Sequence, residues 1–299
     1  MKFTLGENSH FSGMRFREPP LAIFLILCYN AFMKREKTKN KDGENIPEVR
    51  YYKSFNEDFD GGDMRERVID GSYRYERKNV FYRLWSWFLY RCVAAPCAFL
   101  YTKLKFRERY IGKDKLKPYR RVGYFIFGNH TQPVADAFTP NMLGYPKRCH
   151  VVISSKNFSL PVLGPVLPEL GGIPTPTERS AIRPFARAIE GVIAKGRTVA
   201  IYPEAHLWPY CSFIRPFSDA SFDYPVRCNA PSFSFTRVYK RRGKRGVRCE
   251  IYIDGPFFPD ESISPREARV GLRDEVYSAM QKRAELNEVE VVSYEEEPR

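Results

Sequence analysis

The chain has 299 residues, 43% of them hydrophobic, enough to bury a sizeable core in one large domain or two small ones. Its net charge of +14 implies an anionic partner, whether nucleic acid, a lipid surface or an acidic carrier protein. Seven scattered cysteines (Cys28, Cys92, Cys97, Cys149, Cys211, Cys228 and Cys249), with no C-x-x-C, exclude a disulfide framework or a zinc site and fit a reducing compartment.

Residues 1–50 read as a poorly ordered N-terminal extension. Leu21 to Phe32 is an apolar run of about a dozen residues, too short to span a bilayer. It resembles a signal-peptide core but starts late and lacks a small-residue cleavage site. Met33 then opens a lysine-rich, solvated stretch. Residues 1–32 are therefore expected to be dispensable, with Met33 as a natural start.

Residues 51–110 read as a linker followed by an interfacial helical segment. The stretch 79–103 is long enough to cross a membrane, but Arg83 and Arg91 lie inside it and Pro96 interrupts it. Trp85, Trp87, Phe88 and Tyr90 favour an amphipathic, interfacial or re-entrant helix pair. The expected partner is an anionic membrane surface, met from the cytoplasmic face.

From Val122 an α/β rhythm begins, and 111–287 reads as one α/β domain with a mixed, largely parallel sheet flanked by helices. Tyr124–Phe127 is a strand, Pro133–Leu143 a short helix and Val151–Ser154 a second strand. Ile182, Phe185, Ile189 and Val192 give 180–195 helical spacing, with Gly196 as the stop. Thr198–Tyr202 is a third strand, and Phe233–Tyr239 with Val247–Ile253 reads as a hairpin around a basic turn. Ser264-Pro265-Arg266-Glu267 is a capping box opening a helix striped by Leu272, Val276 and Met280. The acidic tail 288–299 is expected to fray.

Three segments carry candidate chemistry. Gly128-Asn129-His130-Thr131-Gln132-Pro133-Val134-Ala135-Asp136 follows the first strand; a histidine at a strand's end with a carboxylate fixing its tautomer makes a general base. Such a base takes a proton from a substrate hydroxyl, so no protein nucleophile is required. Tyr202-Pro203-Glu204-Ala205-His206 follows the third strand, which places Glu204 and His206 on the same rim. Gly171-Gly172 to Arg179 offers a bend and a planar guanidinium suited to phosphate. His150 opens an apolar strand and reads as structural.

Together these segments resemble the glycerolipid acyltransferase superfamily, which includes lysophosphatidic acid and glycerol-3-phosphate acyltransferases. Its four ordered blocks are matched by Asn129, His130 and Asp136; by Gly172 to Arg179; by Tyr202-Pro203-Glu204; and by Ala230-Pro231-Ser232. The resemblance covers about residues 80–255. It implies His130 as base, Asp136 as its orienting partner, and Asn129, Arg179, Glu204 and His206 on the acceptor side. It implies transfer of a fatty acyl group from acyl-CoA or an acyl-carrier protein to a lysophospholipid acceptor, in phospholipid biosynthesis. The thioester is a substrate, so no cofactor and no metal is expected. Three departures stand out. His130 and Asp136 are separated by five residues where the family has four, prolines stretch the second block, and Ala205-His206-Leu207-Trp208 replaces the family's glycine, threonine, arginine and serine. The missing arginine leaves an acceptor without phosphate as an alternative, and the altered spacing leaves a non-catalytic lipid-binding relative. The run Arg237 to Arg245 is the best argument for nucleic acid, but it falls in a hairpin turn, and no nucleic-acid partner is expected. No G-x-S-x-G points to a serine hydrolase.

Overall fold

The structure is a computed structural model describing residues 47–59, 65–77, 79–133, 135–161, 163–243 and 246–298. The expectations for Leu21–Phe32 and for a start at Met33 lie outside the described residues. The chain folds as an α/β protein with a mixed, largely parallel sheet. Seven strands are ordered β2-β8-β7-β3-β6-β4-β5: β2 Arg109–Ile111, β3 Tyr124–Gly128, β4 Cys149–Ile153, β5 Gly172–Pro174, β6 Thr198–Ile201, β7 Ser232–Arg242 and β8 Gly246–Phe257. All neighbours run parallel except the hairpin β7–β8.

The central strand β3 is buried along its whole length, as a parallel strand covered on both faces must be. Its side chains alternate between two cores. Phe125 and Phe127 join Val199, Ile201, Phe185 and Ile189 with Leu272, Val276 and Met280. Tyr124 and Ile126 join Ala200, Phe235, Ile251 and Leu143 on the other face. The helices that follow β3 and β5 are α3 Ala135–Gly144 and α4 Arg179–Ala194. The short α5 spans Asp223–Cys228, and α6 Pro265–Ala284 carries the capping box read from Ser264 and Glu267.

Ahead of the sheet, residues 80–106 form one continuous helical run in place of the expected pair. Two α-helical segments, α1 Val80–Phe88 and α2 Ala95–Tyr101, alternate with π-helical segments Leu89–Ala94 and Thr102–Phe106. Pro96 lacks an N–H and sits just after the first π segment, whose wider turn relieves the clash that proline makes in a regular helix. The same widening keeps residues four apart on one side: Ser86, Tyr90, Ala98 and Thr102 are all buried. Polar anchors hold this side down, with Ser86 donating to the Glu169 carbonyl at 2.8 Å and Tyr90 to Asn141 at 2.5 Å. The outer side is apolar and bare: Phe81, Leu84, Trp85, Phe88, Phe99, Leu100 and Leu104 are exposed. Among the described residues no helix is long and apolar enough to cross a membrane.

The acidic stretch after Glu288 does not fray. Val292–Glu296 forms β9, which pairs in parallel with β1, Glu48–Tyr52, as a separate two-stranded sheet. Val292 and Tyr294 supply the reason: both are buried against Trp208.

Candidate active site

Strand β3 ends at Gly128, opposite Phe235 of β7. A Cβ on Gly128 would lie 2.1 Å from the Phe235 ring, so only glycine fits. The chain then turns away from the sheet, and the Asn129 side chain continues the ladder in its place. Its Oδ1 accepts the Arg237 N–H at 2.8 Å and its Nδ2 donates to the Arg237 carbonyl at 3.2 Å. The Asn129 side chain is thus engaged with backbone and 3% exposed, and it holds the loop.

His130 and Asp136 come together. His130 Nδ1 lies 2.8 Å from Asp136 Oδ2, with the histidine side chain 24% exposed and the carboxylate 3%. The five intervening residues are accommodated because the same Oδ2 also accepts the backbone N–H groups of Thr131, at 2.9 Å, and Gln132, at 2.8 Å. The loop wraps around one oxygen. An imidazole with its proton on Nδ1 would donate it to Asp136 and leave Nε2 as an acceptor. Tyr202 stacks on the imidazole at 4.7 Å between centroids, and its hydroxyl donates to the Asp136 carbonyl at 2.5 Å. Burial pushes the Tyr202 phenol far above the ordinary tyrosine range, so it acts as a neutral wall.

The third-strand loop is stitched to the His130 loop. Trp208 N–H donates to the His130 carbonyl at 3.2 Å, and Tyr210 N–H to the Thr131 carbonyl at 2.8 Å. Ala205 and Tyr210 have φ of 64° and 62°, the left-handed region that favours glycine. Trp208 is fully buried beneath β1 and β9, stacked on Tyr294 at 4.7 Å, and its indole donates to the Glu57 carbonyl at 2.8 Å. Trp208 therefore anchors a clamp over the His130 loop.

Glu204 does not line the rim. Its carboxylate accepts the His130 N–H at 3.1 Å, the Arg215 N–H at 3.1 Å and the Arg215 guanidinium at 2.9 Å. Both side chains of the pair are nearly inaccessible. Burial raises Glu204 above the usual carboxylate range, with Arg215 opposing. Three hydrogen bonds from inside the protein thus hold the carboxylate, which ties the His130 loop to Arg215. Arg179 is exposed in the first turn of α4, beyond β5. Three strand spacings separate β5 from β3, roughly 14 Å, so Arg179 is not part of the His130 cluster. The His206 side chain is 37% exposed, and its Nδ1 lies 3.8 Å from Asp58.

Sequence reasoning missed Arg237 and Glu108, which lie under the dyad. Arg237, read as part of a basic surface run, is 1% exposed; its Nη1 donates to Glu108 at 2.5 Å and its Nη2 to Thr139 at 2.6 Å. Burial alone would weaken its hold on its proton; Glu108 and Asp136 more than reverse that and keep it charged. An arginine inside Ser-Phe-Ser-Phe-Thr-Arg-Val-Tyr, a buried strand, was the available signal. Among the described residues no group of three or more metal-ligating side chains is gathered.

No protein-family model matches the sequence, and no curated protein matches it. Among solved structures, the fold is similar to the crystal structure of the 1-acyl-sn-glycerophosphate (LPA) acyltransferase PlsC from Thermotoga maritima, with a TM-score of 0.45 and 15% identity. The match covers 70% of this chain and 97% of that one.

Proposed function

We propose that this protein is an acyltransferase that moves a fatty acyl group from a thioester, acyl-CoA or acyl-carrier protein, to a hydroxyl of a glycerol-phosphate lipid. The observation that carries it is the His130–Asp136 pair: a half-open imidazole whose Nδ1 is bound to a buried carboxylate. Nε2 is then free to take the proton of an alcohol as its oxygen attacks the thioester carbonyl. The tetrahedral centre collapses with expulsion of the thiolate, which leaves with the proton from His130. The bare apolar side of the 80–106 helix supports a lipid substrate, because it suits the interface of an anionic membrane.

An acceptor without phosphate is a second reading, favoured by one observation. Arg215 and Arg237 are both consumed in buried ion pairs, and Arg179 stands away from the dyad. The test is thioester-dependent acylation of a panel of lysophospholipids and neutral monoacyl lipids. His130→Ala should lose 10²–10⁴ in rate while staying folded. A variant that keeps more than about a tenth of the activity sinks the general-base assignment.

A further inference from the structure

The charged cluster under His130 extends past its aspartate. Asp136 Oδ2 is saturated by His130, Thr131 and Gln132, while Oδ1 faces the Arg237 guanidinium at 3.5 Å. Arg237 is held from behind by Glu108, whose other oxygen accepts the Tyr110 hydroxyl at 2.7 Å. These groups come from β7, from the residue before β2 and from α3, and all are buried. Two carboxylates and one guanidinium leave the cluster one negative charge in excess. Uptake of a proton by His130 cancels it.

We propose that Glu108 and Arg237 are positioning residues that set how strongly His130 holds a proton. The Thr131 and Gln132 N–H groups hold Oδ2 at the imidazole, while Arg237 faces Oδ1 and Glu108 cancels the charge of Arg237, so that the negative charge of Asp136 acts on His130 undiminished. The remaining groups around His130 do not substitute for them. Glu204 and Arg215 form a neutral pair, Tyr202 and Tyr239 are held neutral by burial, and the His206–Asp58 pair is on the exposed rim. The inference rests on reading His130 as the base, but its measurement does not depend on turnover.

The experiment is a histidine-selective NMR titration of the full chain, with His130→Ala identifying the signal among four histidines. Glu108→Gln leaves Asp136 as the remaining counter-charge of Arg237 and takes away the cluster's excess negative charge. A charge acting over roughly 10 Å at an effective dielectric of about 20 should lower the His130 midpoint by about one pH unit. The double variant Glu108→Gln/Arg237→Gln restores the net charge and removes the nearer cation, so its midpoint should return to the parent's or rise slightly above it. A midpoint that moves by less than about 0.3 unit in Glu108→Gln, or moves upward, overturns the proposal. So does a double variant whose midpoint falls below the parent's, which decides the matter if the single variant does not fold. The acid limb of the pH–rate profile should follow the same shifts. A parent protein with no acyl transfer but the expected NMR shifts would refute the acyltransferase reading and leave this one standing.

Discussion

Glu204→Gln separates a scaffold carboxylate from an acceptor-binding one. The substitution keeps the shape and removes the charge opposite Arg215, whose guanidinium lies 2.9 Å away with its side chain 1% exposed. Removing one partner of a buried pair costs about 3–5 kcal/mol, because the other charge is left uncompensated. The amide must also turn its NH₂ toward a donor, either His130 N–H or the Arg215 groups, and an unsatisfied buried donor costs about 1–3 kcal/mol. The loss should therefore lie at the upper end, about 4–5 kcal/mol, a large share of a typical 5–15 kcal/mol stability. Glu204→Leu/Arg215→Met removes both charges and should cost less than either single change. Urea unfolding followed by tryptophan fluorescence reads this directly, since Trp208 stacks against Arg215 at 4.8 Å. A Glu204→Gln protein within about 1 kcal/mol of the parent, with a raised KM for the acceptor, would refute the scaffold assignment.

Two further outcomes are expected. Burial, with Arg148, Arg197 and Lys195, pushes His150 down to about 3 from an ordinary value near 6.5. The unfolded chain then binds one more proton than the fold as pH drops below about 6.5, so stability should fall by about 1–2 kcal/mol between pH 6.5 and 5. Urea midpoints at the two pH values check it, and His150→Gln should flatten the dependence; an equally steep slope in the variant would assign it elsewhere. On the outer side of the 80–106 helix, replacing Phe81, Leu84 and Trp85 by Ser should leave the melting temperature within a few degrees but abolish flotation with anionic vesicles. Unchanged flotation would remove this face as the contact.

The readable parts of the sequence were those set by neighbours in the chain. The apolar run Tyr124–Phe127, the helical spacing of Phe185 and Ile189 and the Ser264–Glu267 cap are local patterns, and the structure holds each of them. The meeting of His130 and Asp136 was legible for the same reason. Glu108 and Arg237 were not, because 129 residues separate partners that give each other meaning only across the sheet. Glu204 was placed at the right strand end but the wrong depth: position along a strand tells which end a side chain occupies, not whether it points inward. The acidic tail misled because its charges outnumber the few apolar residues that dock it, with Val292 and Tyr294 buried.

The β1–β9 pair bears on how this protein could be cut or recombined. A module excised at 111–287, the bounds the sequence suggests for the α/β domain, would omit Glu108, the counter-ion of Arg237. It would also omit Tyr52, Phe59 and Tyr294, leaving Trp208 without its cover and the His130 carbonyl tethered to an unsupported loop. The heritable unit is therefore wider than the sheet that houses the dyad. Fusions, truncations and domain swaps should keep 48–298 in one piece, since the flanks are part of the site's foundation.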